Sequence, residues 1–127
     1  MSRSVILSAS APKPVSAYSQ AIQSGALLFL AGQIPLDPAT GQVVSGTIAE
    51  ETDRVIENLR AVLAAAGATL DNVVKTTVYL TNMADFPAFN AAYARHFSQQ
   101  PPARTTVAVL ALPLGVRVEV EAIAALV

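Results

Sequence analysis

The chain has no cysteine and a single histidine, and only 13% of its residues are charged. Without cysteine there can be no disulfide, thiolate metal site or thiol nucleophile, and the absence fits a reducing compartment. One histidine, His96, cannot supply the several nitrogen and sulfur ligands of a zinc centre, so no metal is expected. A serine or threonine nucleophile would have to borrow His96 as its base, and no motif supports that pairing. The 8 Lys and Arg stand singly against 9 Asp and Glu, for a net charge of -1. No basic stripe exists to neutralise phosphates, which disfavours nucleic acid as a partner. Gly25, Gly32 and Gly41 fall in no phosphate-cradling pattern.

Long apolar runs are also missing where export or membrane insertion would need them. The stretch Val5 to Leu7 is far shorter than the roughly 7 to 15 apolar residues of a signal peptide. The uncharged segment from Pro14 to Leu36 is interrupted by Ser16, Gln20, Gln23, Gln33 and Pro35, whereas a spanning helix needs about 20 mostly apolar residues. The expectation is a soluble, cytoplasmic protein with no membrane partner, folded as one domain over residues 1–127.

What the chain does have is apolar surface. Apolar residues reach 53%, more than so small a body easily hides, and this predicts association between copies. Strands are expected near Ser4 to Leu7 and over Ala26 to Gly32, the latter a continuous apolar run expected to be buried on both faces. Shorter strands are expected near Gln20 to Ser24 and Val43 to Val44, around the turn "PLDPATGQ". Thr47 and Glu50 have capping-box spacing and open a helix to about Ala66, with Val55, Ile56, Leu59, Val62 and Leu63 on one stripe and Gly67 as its stop. "VVKTTVYL" reads as a strand, and a second helix is expected from about Ala84 to Phe97, capped by Asn82 or Asp85 with Pro87 in its first turn. Strands over Arg104 to Leu110 and "VRVEVEAIAAL" follow. Two successive strand–helix–strand units imply parallel strands, and the short link at Pro113 to Gly115 turns the last strand back antiparallel.

In that last strand Val116, Val118 and Val120 point one way and Arg117, Glu119 and Glu121 the other. The valines suit the helices, which leaves the charges on the open sheet face. Arg104 and Thr106 share a face of their own strand. Two readings of Arg104 stand side by side: a structural salt bridge to Glu119 or Glu121, or a cation held for a ligand. From composition alone Tyr18 reads more readily as a packed loop residue than as a ligand contact, and His96 complements the macrodipole at a helix end.

Seven blocks, "AYSQA", "AGQIPLDPATG", "NLRAVLAAAG", "VVKTTVYL", "DFPAFNAAYARHF", "PPAR" and "VEVEAIA", run collinearly through nearly the whole chain and resemble the RidA/YjgF-type imine deaminases. The resemblance implies an α+β, Bacillus chorismate-mutase-like fold: a mixed β-sheet with two helices on one face and the final strand inserted between the two preceding parallel ones. It further implies a homotrimer with ligand clefts between subunits. The implied activity is hydrolysis of 2-imino acids to 2-oxo acids and ammonia without a cofactor. By position, Arg104 corresponds to the arginine that grips the substrate carboxylate and Glu119 to the glutamate that positions the attacking water. Tyr18, Gly32 and Asn90 correspond to cleft residues, and Thr106, where many members have cysteine, to a backbone acceptor for the imine nitrogen.

This chain departs from the family pattern at Ser16-Ala17, where Gly-Pro is common, and at Thr105, Ala108 and Leu110, which make their strand more apolar than usual. A non-catalytic trimer that binds small carboxylates for regulation, and an endoribonuclease, are the alternatives. Retention of both Arg104 and Glu119 speaks for chemistry over the first, and the scattered basic residues speak against the second.

Overall fold

The computed structural model describes residues 3–126. Strands β1 (Ser4–Ile6), β2 (Ala21–Ser24) and β3 (Leu27–Gln33) precede helix α1 (Ile48–Ala65). Strand β4 (Val73–Leu80), helix α2 (Phe86–His96), strand β5 (Ala103–Ala108) and strand β6 (Val118–Ala125) complete the chain. The six strands form one sheet in the order β1-β2-β3-β6-β4-β5. β6 is antiparallel to both β3 and β4, and β4 is parallel to β5. The last strand thus sits between β3 and β4, as the resemblance implies.

Helix α1 forms because its ends are specified as well as its stripe. Thr47 Oγ1 accepts from the Glu50 backbone N–H at 3.2 Å, and the Glu50 carboxylate accepts from the Thr47 N–H at 2.9 Å. Gly67 ends the helix with φ +75°, a left-handed conformation that glycine adopts without a side-chain clash. Between them Val55, Ile56, Leu59, Val62 and Leu63 are buried against β3 and β6. Removing the cap with Thr47→Ala is expected to lower the unfolding free energy by about 1 kcal/mol in a urea titration. An unchanged midpoint would mean that packing alone holds this helix start.

Both helices lie on one face of the sheet. On that face Leu28, Leu30, Val78, Leu80, Val118 and Val120 are buried. The opposite face stays uncovered within one chain, and there the apolar run of β3 departs from expectation. Leu28 and Leu30 are buried, but Leu27 and Phe29 are 42% and 44% exposed, because two helices can cover only one side. The second helix is shorter than expected: residues Met83–Asp85 form a separate 3-10 turn capped by Asn82, and Asp85 makes no side-chain cap. Strand β5 ends at Ala108, leaving Leu110 fully exposed.

Arg117 also departs from expectation. It precedes the first residue of β6 and escapes the strand's alternation, turning toward α1 instead of the open face. Its guanidinium bonds the Glu51 carboxylate and donates to the Gly46 carbonyl at 2.6 Å, joining the β6 entry to the start of α1.

Two buried amides fix the loops around the site. Gln20 donates to the Ser8 and Pro12 carbonyls at 3.1 and 2.9 Å and accepts from the Ser8 N–H at 2.6 Å. It therefore ties down the proline-rich segment that leads to Tyr18. Asn58 on α1 donates to the Ile34 and Leu36 carbonyls at 3.2 and 2.9 Å, fastening the turn that leaves β3. In each case a polar side chain satisfies backbone groups that no strand or helix ladder reaches.

Candidate functional site

The sequence-derived residues fall into two groups on opposite faces of the sheet. Arg104 is in register with Thr76, which is fully buried toward the helices and shares a 2.7 Å hydrogen bond with the Tyr93 hydroxyl. Arg104 therefore points to the helix side. Its guanidinium lies 4.8 Å from the Tyr93 ring centroid and 5.5 Å from that of Phe86, and it donates to Asn90 Oδ1 at 2.9 Å. Such stacking on aromatic faces orients the planar cation and leaves its remaining N–H groups free to bond a ligand. A cleft of about 340 Å³ opens here, lined by Asn90, Tyr93, Pro101, Pro102 and Arg104.

Among the described residues no carboxylate pairs with Arg104. The salt-bridge reading with Glu119 or Glu121 is thereby corrected: those carboxylates project from the other face. Thr106, two residues further along β5, carries a buried hydroxyl oxygen with no hydrogen-bond partner among the described residues. Such an orphan is uncommon, because an unbonded buried polar group is costly.

The second group gathers on the open face. Val118 and Val120 are buried toward the helices, so Glu119 between them faces away. It shares a cavity of about 450 Å³ with Tyr18 and Gly32, walled mainly by carbon from Pro12, Val15, Ile34, Leu36 and Leu114. Gly32 packs directly under the Glu119 carboxylate. A Cβ placed at position 32 would overlap Oε2 and lie 2.9 Å from the carboxyl carbon.

Burial, and then the neighbouring Glu121 charge, push the Glu119 carboxyl above the usual carboxylate range. Glu121 itself accepts from the Tyr79 hydroxyl at 2.6 Å. That hydrogen bond, with lesser help from burial, pushes the Tyr79 phenol up to about 12. The sequence reading assigned no role to Tyr79. The alternation of "VVKTTVYL" places it on the face opposite Thr76 and Val78, which was the available signal.

His96 sits apart, bonded to Asp53 of α1 at 2.8 Å beside an Arg95–Asp53 pair. It borders a different cavity of about 500 Å³ that contains none of the six candidate residues. Among the described residues, no group of three or more His, Cys, Asp or Glu side chains could hold a metal ion.

This arrangement meets a clear set of relatives. The family model described as endoribonuclease L-PSP matches residues 8–126. The chain belongs to the RidA/YjgF family. A RutC family protein of Pyrococcus abyssi is 52% identical over 124 residues, 98% of each chain. The mouse 2-iminobutanoate/2-iminopropanoate deaminase is 46% identical over 122 residues, covering 96% of this chain and 90% of the mouse protein. Among solved structures, E. coli TdcF with bound serine superposes with a TM-score of 0.92 at 33% identity, over 96% of this chain and 98% of that one. The RidA/YjgF mixed sheet with two helices is therefore the fold of this chain too.

Proposed function

We propose that this protein hydrolyses reactive 2-imino acids to 2-oxo acids and ammonia without a cofactor, in the cytoplasm, as a homotrimer of the Bacillus chorismate-mutase-like fold. The observation that carries the reading is the division of the candidate site. Arg104, without a carboxylate partner among the described residues, faces the helix side of the sheet, and Glu119 faces the open side. One chain therefore holds each half but cannot close both around one small molecule, whereas neighbouring copies can. The open face that carries Glu119 also exposes Leu27, Phe29 and Val107, apolar surface that association would cover.

In this mechanism Arg104 of one subunit grips the substrate carboxylate through a two-pronged hydrogen bond. Asn90, Tyr93 and Phe86 hold the guanidinium in place. Glu119 of the neighbour holds a water against the imine carbon and takes one of its protons as the C–O bond forms. Glu119 hands that proton to the imine nitrogen, giving a carbinolamine with one hydroxyl and one amino group. It then takes the hydroxyl proton and returns it to the nitrogen as the C=O bond forms and the C–N bond breaks, so that ammonia leaves and the 2-oxo acid remains. The Thr106 backbone and the Gly32 backbone shape the pocket, and Tyr18 closes one side. The imine is already reactive in water, so positioning and modest base assistance suffice.

The test generates imines in situ by oxidising amino acids and lets semicarbazide trapping compete with added protein. Wild-type protein is expected to suppress semicarbazone formation, and a protein without effect on any imine would defeat the proposal. Retained ligand binding without acceleration would instead favour a regulatory carboxylate-binding trimer, a reading supported by the serine in E. coli TdcF.

The pH dependence has a defined sign. Water is held by the ionised form of Glu119, and burial followed by the Glu121 charge raises its pKa. The acidic limb of kcat/KM should therefore lie above the ordinary glutamate range, and Glu121→Gln should move it downward. The folded chain also binds this proton more tightly than the unfolded chain, so the Glu119 contribution to stability is greatest in acid. It is lost as pH rises through the folded-state pKa. Glu119→Gln is accordingly expected to raise the unfolding midpoint at neutral pH.

A further inference from the structure

Resting on the deaminase reading, we propose that the cavity beside Glu119 selects imino acids with bulky apolar side chains, those derived from leucine-like or phenylalanine-like amino acids, and that Leu114 sets this preference. Two independent observations lead there. The first is the cavity itself. It measures about 450 Å³ and its wall is mostly carbon, from Pro12, Val15, Ile34, Leu36 and Leu114. A methyl or ethyl substituent would leave most of such a space to water. A branched or aromatic side chain would exchange that water for apolar contact, the usual source of affinity in a concave apolar site.

The second observation is the backbone at Leu114. This residue has φ 57° and ψ 20°, in the left-handed region that disfavours residues with a Cβ. Asparagine and aspartate tolerate that region through local side-chain hydrogen bonds, which leucine cannot make. Leu114 also gains little from burial in the chain, being 71% exposed. A strained backbone presenting an exposed apolar side chain at the cavity rim has no rationale in the stability of one chain. As a wall for the substrate side chain it has one.

The proposed mechanism also sets the direction of the substrate. With the carboxylate at Arg104 and the imine carbon beside Glu119, the substituent on that carbon continues into the space that Glu119 shares with Leu114. Among the described residues Lys13 is the one cation on the cavity wall, and it defines the competing specificity, an acidic side chain.

The experiment compares kcat/KM for imines generated from alanine, leucine, phenylalanine and glutamate, in the wild type and in Leu114→Gly. Glycine suits the left-handed backbone, so this variant is expected to keep or raise the melting temperature, which separates a loss of specificity from a loss of fold. The wild type should favour the leucine or phenylalanine imine over the alanine imine by about tenfold, the scale on which apolar pockets discriminate. In Leu114→Gly that ratio should fall toward one. Equal or better turnover of the alanine imine, a preference for the glutamate imine, or a ratio untouched by Leu114→Gly would each overturn the specificity proposal while leaving the deaminase reading in place. No acceleration of any imine overturns both.

Discussion

A mixture of two crippled variants is expected to work better than either alone. Arg104→Ala and Glu119→Gln should each lose roughly a hundredfold or more in kcat/KM, because each removes one of the two groups proposed to position the reactants. Unfolded together in equal amounts and refolded, they should recover activity. In the proposed trimer each cleft would take an arginine from one subunit and a glutamate from the next. Random assembly leaves both intact in about a quarter of clefts, since each contribution is intact half the time. The expectation comes from the register: Arg104 lies opposite Thr76 on the helix face, and Glu119 lies opposite Tyr79 on the other. A mixture no more active than its components, with trimers confirmed by sedimentation, would place the complete site within one chain and refute the division.

The second large effect should come from one methyl group. Gly32→Ala is expected to cost roughly a hundredfold in kcat, the scale of loss from an ångström-sized misplacement of a reacting group. The cause is steric and not conformational. Gly32 is absent from the positive-φ glycines, so alanine suits its backbone, but the new Cβ would overlap the Glu119 carboxylate. Glu119 must swing away, and the water it is proposed to hold would move with it. Circular dichroism should show the fold unchanged while activity collapses. Near wild-type activity would mean that Glu119 has room to yield and that its exact position is unimportant.

The elements were legible wherever the signal is local. The Thr47 and Glu50 cap, the stop at Gly67 and the alternation of Val118, Glu119 and Val120 each depend on residues a few places apart, and all appear where the sequence puts them. The candidate residues themselves came only from the blocks that carry the family resemblance. The face on which Arg104 projects was not legible. Alternation says that Arg104 and Thr106 agree, but only pairing with β4 says which side they share. The salt bridge with Glu119 or Glu121 was therefore a reasonable reading of charge and a mistaken one of geometry.

Arg117 was misread for a related reason: alternation holds only inside a strand, and β6 begins one residue later. The Gln20 and Asn58 amides bond carbonyls 8 to 24 residues away, in irregular segments that no periodicity describes. Tyr79 and Glu121 are 42 positions apart in sequence and meet only because β6 inserts beside β4.

The uncovered side of the sheet also bears on how the protein is made. A newly synthesised chain that has folded alone displays Leu27, Phe29 and Val107 to its surroundings. If the proposed association covers that greasy surface, then until copies meet it can stick to any other unfinished chain, and a sparse or overheated culture should lose material to aggregates that a dense, cool one would convert to assembled product.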